Sequence, residues 1–201
     1  MSYKVIVGDA TKHPDLGKKT IIIPHVVNDI GVAGAGFVMA LEKAFGKFSN
    51  SVYKLWYQGS AEIDMCKMTG TFALGEVQFV NMNQWVKKLI IANMVGQRSI
   101  GMGKDGRPPV RYAALVDCMR HVQKLALKHD ATIVAPQFAS DLAGGDWNTV
   151  ELLIKELWVD LGIPVVVYDF PKPVFHRNID RLGSDDILDA DIDKLLGEEH
   201  E

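Results

Sequence analysis

PHVVNDIGVAGAGF, Pro24 to Phe37, runs out of an apolar stretch, through three glycines, and into the helical pattern FVMALEKAF. The preceding residues, Thr20–Val27, are β-branched and apolar almost throughout, as a strand covered on both faces must be. Strand, glycine-rich turn and helix in that order form the repeating unit of an α/β fold. A second stretch, PQFASDLAGGDWN, Pro136 to Asn148, has the same layout between an apolar strand and another helical pattern.

Working outward, Lys4–Val7, Thr20–Val27, Glu76–Val80, Leu89–Val95, Thr132–Ala135 and Val165–Tyr168 read as strands. Gly36–Phe45, Ser51–Tyr57, Val110–Lys128 and Trp147–Leu161 read as helices. In the third helix Leu115, Met119, Val122 and Ala126 share one stripe, while Arg120, Lys124 and Lys128 lie off it. Pro108 and Pro109 stand just before it, where proline is tolerated. Asp146 can cap the fourth helix, and Gly162 with Pro164 can end it. The alternation predicts a three-layer α/β/α sandwich with a mixed, mostly parallel sheet of about six strands.

The chain has 201 residues, is 48% hydrophobic and carries a net charge of −3, enough for one compact core. Slight acidity argues against a general nucleic-acid binder. Cys66 and Cys118 have no CxxC spacing, which predicts buried free thiols in a reducing compartment. The start, MSYKVIVGDAT, lacks the pattern of a signal peptide, and no apolar run approaches membrane-spanning length. A cytoplasmic protein without membrane contact is expected. The six histidines show no metal-ligand spacing, so neither zinc nor another cofactor is expected.

Ser99–Pro109, SIGMGKDGRPP, reads as a glycine-rich, charged loop. Residues 1–170 read as one domain, and 171–201 as a linker with Pro171 and Pro173 followed by an acidic C-terminal extension. Within that extension Ile187, Leu188, Ile192 and Leu195 can form one helix face, and solvated disorder is the plainer reading.

Glycines let backbone amides approach a ligand, and helix N-termini add partial positive charge. Two such loops from distant parts of one chain can close on the same anion, which points to a phosphate-bearing ligand such as a nucleotide derivative.

The ordered set of motifs resembles the macro domain, the ADP-ribose-binding fold, over about residues 1–170. Gly8-Asp9-Ala10-Thr11 after the first strand is similar to the family's GD(I/V)T motif. Val27-Asn28-Asp29 followed by Gly34-Ala35-Gly36-Phe37 resembles its asparagine-then-glycines segment, and Pro136–Gly144 its phosphate loop. Leu74-Gly75-Glu76-Val77 and Ile91-Ala92-Asn93-Met94 suit two intervening strands. Within the family, HVVND…GAG and LAGGDW look closest to the ADP-ribose-1″-phosphate phosphatases, the terminal ADP-ribose glycohydrolases and phage-encoded macro proteins.

The resemblance implies a site. Asp9, with Ala10 beside it, would accept the exocyclic amine of adenine; a turn aspartate bonding its own backbone is the local alternative. Asn28 would face the distal ribose and position substrate or water, or else cap the loop. Gly34, Ala35, Gly36 and Phe37 would pass close to the diphosphate or distal ribose, although tight strand-to-helix packing uses the same glycines. Ser140, Asp141, Leu142, Ala143 and Gly144 would wrap the diphosphate. Family members typically carry glycine where this chain has Asp141, and a carboxylate beside a diphosphate is repulsive unless it turns away or meets a cation. Asp141 is therefore a general base, a water positioner, or an outward-facing residue. His25 can shuttle a proton at neutral pH or be an ordinary core histidine. Asp29 can hold a water or touch ribose hydroxyls. Phe170, like Tyr168, can stack on adenine or simply pack. The glycohydrolase subgroup's lysine nucleophile has no counterpart in IANMVGQ, and Ala143 stands where its acid would be.

The expected function is binding of ADP-ribose or a derivative, with hydrolysis of ADP-ribose-1″-phosphate to ADP-ribose as the leading activity. Release of ADP-ribose from a modified macromolecule and non-catalytic sequestering of ADP-ribose are the alternatives. The candidate catalytic residues are Asn28, Asp141 and His25.

Overall fold

Ile21, Ile22 and Ile23 are all fully buried, yet successive side chains of a strand point to opposite faces, so this strand has cover on both sides. The computed structural model describes residues 2–169 and bears that out. Strand β2 (Ile21–Asn28) sits inside a sheet whose other strands are β1 (Tyr3–Val7), β3 (Cys66–Met68), β4 (Val77–Asn81), β5 (Leu89–Gln97), β6 (Thr132–Pro136) and β7 (Val165–Asp169). Their order is β1-β7-β6-β2-β5-β4-β3. Strands β1, β7, β6, β2 and β5 run parallel, and β4 and β3 join antiparallel at one edge.

Helices α1 (Phe37–Phe45) and α2 (Phe48–Tyr57) cover one face. There Leu41, Phe45 and Val52 pack on Ile21, Ile23, Leu89 and Ile91. Helices α3 (Tyr112–His129) and α4 (Trp147–Ile154) cover the other. The stripe Leu115, Met119, Val122 and Ala126 is buried there against Ile22, Ala92 and Met94. Leu115, Met119 and Val122, all fully buried, each contribute about 1.5–3 kcal/mol, and the Ala126 methyl less. Trp158 is completely buried in the same layer and donates its indole N–H to the Met119 carbonyl at 3.0 Å.

Among the described residues the sheet has seven strands where about six are predicted. The addition is β3, three residues within EIDMCKMTG, too short for any alternation of apolar and polar residues to register. The fourth helix ends as predicted before Gly162, but its last part, Lys155–Val159, widens into a π-turn. Both cysteines are free; Cys118 is buried, whereas Cys66 is only half-buried on the edge strand. Burial pushes the Cys66 thiol up to about 12. Among the described residues no helix is long and apolar enough to cross a membrane. The expectations for Phe170, for Pro171 and Pro173, and for the amphipathic stretch Ile187–Leu195 lie outside the described residues.

Candidate functional site

Because five strands are parallel, their C-terminal ends open along one edge of the sheet, where open α/β folds bind ligands. Both glycine-rich loops emerge there, after β2 and after β6, together with the Gly8–Asp9 turn after β1 and the loop after β5.

The first loop is shaped by Asn28, which is 6% exposed. Its Oδ1 accepts from the amides of Ile30 (3.2 Å) and Val32 (3.1 Å) and from the Tyr53 hydroxyl (3.0 Å). Its Nδ2 donates to the Val32 carbonyl at 2.6 Å. Asn28 is thus a loop-capping residue, with one amide hydrogen left for a ligand. Tyr53, reaching up from α2, also donates to the Asn28 carbonyl at 2.7 Å. No local pattern marks Tyr53 in the sequence; only the packing of α2 brings it under the loop. Beyond Val32 the chain turns at Gly36, whose φ of 77° and ψ of −147° lie in a region essentially restricted to glycine. Gly36 caps α1 and offers no side-chain acceptor; the Met39 amide bonds back to the Gly36 carbonyl at 3.1 Å, and among the described residues the amides of Phe37 and Val38 stay unpaired and electropositive.

The second loop is also tightly turned. Ala139 adopts φ 59°, Gly144 donates its amide to the Asp141 carbonyl at 2.9 Å, and Gly145 donates to the Ala139 carbonyl at 2.9 Å. Among the described residues, the amides of Ser140, Asp141, Leu142 and Ala143 have no acceptor. The Ser140 hydroxyl donates to the Gln137 carbonyl at 3.2 Å. The Asp141 carboxylate is exposed and, among the described residues, unpaired. The Ala143 side chain is buried in the core, as is that of Ala10, so both can offer a ligand only their backbone.

These two loops meet. A Cβ placed on Gly36 would stand 3.3 Å from the Leu142 methyl, while a Cβ on Gly144 would stand 2.8 Å from Pro108 of the loop after β5. That third loop is held by Asp29, whose Oδ1 accepts from the Ser99 amide at 2.7 Å and whose Oδ2 lies 3.7 Å from Arg98. Arg111 pins its far end by donating to the carbonyls of Pro108, Pro109 and Val110. Gly34 and Ala35 are exposed on the rim, and Phe37 turns inward against the α1 layer.

Asp9 caps the short 3-10 turn Ala10–Lys12, its Oδ1 accepting from the Thr11 amide (2.9 Å) and hydroxyl (2.7 Å). Its Oδ2 faces Lys12 at 3.9 Å and remains available. Tyr168 is a packing residue: its ring lies against Gly8, and its hydroxyl meets His13 Nδ1 at 2.9 Å. Asp146 is the N-cap of α4, accepting from the Thr149 amide and hydroxyl, and these bonds hold its carboxyl below the usual range.

His25 lies three residues below the loop. Its Nδ1 meets Asn93 Oδ1 at 3.4 Å, its ring packs edge-on to Phe37, and burial pushes its pKa down to about 4. The imidazole is therefore neutral at pH 7. It lines a cavity of about 10 Å³ beneath α1 and α2, with Ser49, Asn50, Tyr53 and Asn93. That space holds at most one water, and neither glycine-rich loop lines it. Among the described residues no cluster of three or more histidine, cysteine or carboxylate side chains could hold a metal.

With this geometry established, likeness to known proteins becomes informative. No family model matches the chain. A solved macrodomain protein from Streptomyces coelicolor is 33% identical, with 84% of this chain and 99% of that chain covered at a TM-score of 0.65. The chain belongs to the macrodomain family. A Bacteroides thetaiotaomicron protein of unknown function is 39% identical, covering 84% of this macrodomain and 98% of that chain at a TM-score of 0.73. Thermosipho africanus DarTG, solved in complex with ADP-ribose, shares the fold at 14% identity and a TM-score of 0.58, covering 91% of this chain and 43% of that one. The mouse chromodomain-helicase-DNA-binding protein 1-like is 24% identical over 171 residues, and this macrodomain spans 18% of that protein's length.

Proposed function

We propose that this macrodomain binds ADP-ribose in the cleft between its two glycine-rich loops. The diphosphate lies between the first turn of α1 and the amides of Ser140–Ala143. The observation that carries this reading is the placement of those amides: two loops from distant parts of the chain approach so closely that a Cβ on Gly36 would stand 3.3 Å from a Leu142 methyl, and among the described residues both present N–H groups without acceptors. Backbone amides at a helix N-terminus and in a tight loop favour an anion without any basic side chain. The free Oδ2 of Asp9 takes the adenine amine, and the remaining Nδ2 hydrogen of Asn28 reaches the distal ribose. The fold shared with the ADP-ribose-bound DarTG structure supports the same assignment.

The finer reading is hydrolysis of ADP-ribose-1″-phosphate. The exposed, unpaired carboxylate of Asp141 favours it, because such a group can take a proton from a water attacking the terminal phosphorus. His25 is neutral but lies below the loop, and Asn28 is committed to shaping it, so neither competes for that role. Titration calorimetry with ADP-ribose tests the binding reading; no heat at millimolar ligand overturns it. Phosphate release from the 1″-phosphate separates a hydrolase from a domain that only binds or sequesters ADP-ribose, or that releases it from a modified macromolecule.

A further inference from the structure

The net acidity of the chain does not belong to the described fold. Residues 170–201 hold nine of its 25 acidic and four of its 22 basic side chains, leaving 18 basic against 16 acidic in residues 1–169. Part of that surplus is concentrated at the N-terminal edge of the sheet, at the opposite end of the strands from the loop cleft. Lys18 and Lys19 lead into β2, and Lys87 and Lys88 lead into β5, its parallel neighbour, with Ile21 paired to Leu89. Lys88 Nζ donates to the Lys18 carbonyl at 3.3 Å, which places the two pairs side by side. Lys47 immediately precedes α2, next to Phe48. All five lysines are exposed. Lys19 pairs with Asp15 at 3.4 Å, and among the described residues the other four have no ion-pair partner.

An aromatic ring stands among them. Trp85 is 46% exposed and lies over Phe48, ring centroids 4.8 Å apart and planes 31° from parallel. It is held rigidly. The amides of Trp85 and Val86 both donate to the Met82 carbonyl at 2.8 Å, and Met82 is fully buried. Asn83 Oδ1 accepts from the Lys88 amide at 2.6 Å, while Asn81 Oδ1 accepts from Asn83 at 3.0 Å. A tryptophan serving only the core would turn inward; this one is fixed on a braced hairpin with its ring partly in solvent.

We propose that this face binds single-stranded nucleic acid, with a base stacked on Trp85 and the phosphates passing Lys18, Lys47, Lys87 and Lys88. A flat aromatic on the same face as four lysines without an ion-pair partner among the described residues matches an unpaired base on a polyanion, because the ring takes the base and the ammonium groups take the phosphates. An acidic peptide would use the charges but not the ring. The site is separate from the ADP-ribose cleft: β2, eight residues long, sets the two ends about 26 Å apart.

Fluorescence anisotropy of the full chain with a labelled single-stranded oligonucleotide of about 12 nucleotides tests this. Binding on the order of 1–10 µM at low salt is expected, weakening with salt at a logarithmic slope of about −2 to −3. Trp85→Ala lowers affinity about tenfold without changing the slope, and Lys87→Gln with Lys88→Gln reduces the slope by about 1.4. Saturating ADP-ribose leaves the oligonucleotide bound. No binding at low salt, equal binding by Trp85→Ala, or displacement by ADP-ribose overturns the proposal. Far-UV circular dichroism verifies that these surface variants fold. Calorimetry with ADP-ribose on the same variants reads the cleft independently, so failure at one site is told apart from failure at the other.

Discussion

Gly36→Ala is the sharpest probe of the cleft. The residue sits at φ 77° and ψ −147°, where a side chain costs about 1–3 kcal/mol of backbone strain. The added methyl would stand 3.3 Å from the end of the Leu142 side chain, a flexible group that can yield, so strain outweighs collision. If the loop holds its shape, a protein of this size loses about 2–4 °C of Tm per kcal/mol, or about 2–12 °C in all. If the loop relaxes instead, stability recovers and the first amides of α1 swing away from the diphosphate. Losing one or two hydrogen bonds to a charged group, at about 1.5–3 kcal/mol each, lowers ADP-ribose affinity at least tenfold. Thermal unfolding and calorimetry together read both branches. Gly34→Ala serves as control, since a Cβ there meets nothing within 4 Å and its φ is not positive; its stability should change by less than about 0.5 kcal/mol. A Gly36→Ala protein with wild-type Tm and wild-type affinity would refute the reasoning.

Three further outcomes are expected. Asp141→Gly removes a negative charge beside the diphosphate site, worth about 1 kcal/mol at 4 Å in water, so calorimetry should show ADP-ribose binding about threefold to fivefold tighter; weaker binding would contradict the repulsion. Tyr53→Phe deletes the hydroxyl that donates to the Asn28 carbonyl and Oδ1, costing about 1–2 kcal/mol in urea unfolding and weakening ADP-ribose binding by loosening Asn28; unchanged stability would show that those bonds contribute nothing. His25 titrates near 6.5 in the unfolded chain and about 4 in the folded one, so between those values the unfolded state binds the extra proton and stability falls as pH drops, by up to about 3 kcal/mol. His13, whose pKa burial also lowers, adds in the same direction, so His25→Gln should flatten the unfolding-versus-pH curve between pH 6.5 and 4 without abolishing its slope. An unflattened curve would move the effect elsewhere.

Apart from the three-residue β3, the order of strands and helices, the two glycine-rich loops and the stripe on α3 were legible in the chain, because each is a local pattern of a few residues at helical or strand spacing. The family was legible for the same reason: its motifs are short, ordered loops at strand ends. The cap role of Asp146 could be read from its place before a helix. What tertiary structure decided involves residues far apart in the chain. Tyr53 reaches Asn28 across 25 positions and ties its side-chain carbonyl into the brace of the loop. Gly36 and Leu142, more than a hundred residues apart, are brought close only because β2 and β6 are neighbours in the sheet. Whether His25 can carry a proton depends on the desolvation imposed by the layer packed over it, which no spacing encodes. Sequence alone sets which backbone segments can turn tightly and which faces must be buried. Packing decides which side chains remain free, because each hydrogen-bonding group spent on holding a loop is one that no ligand can use.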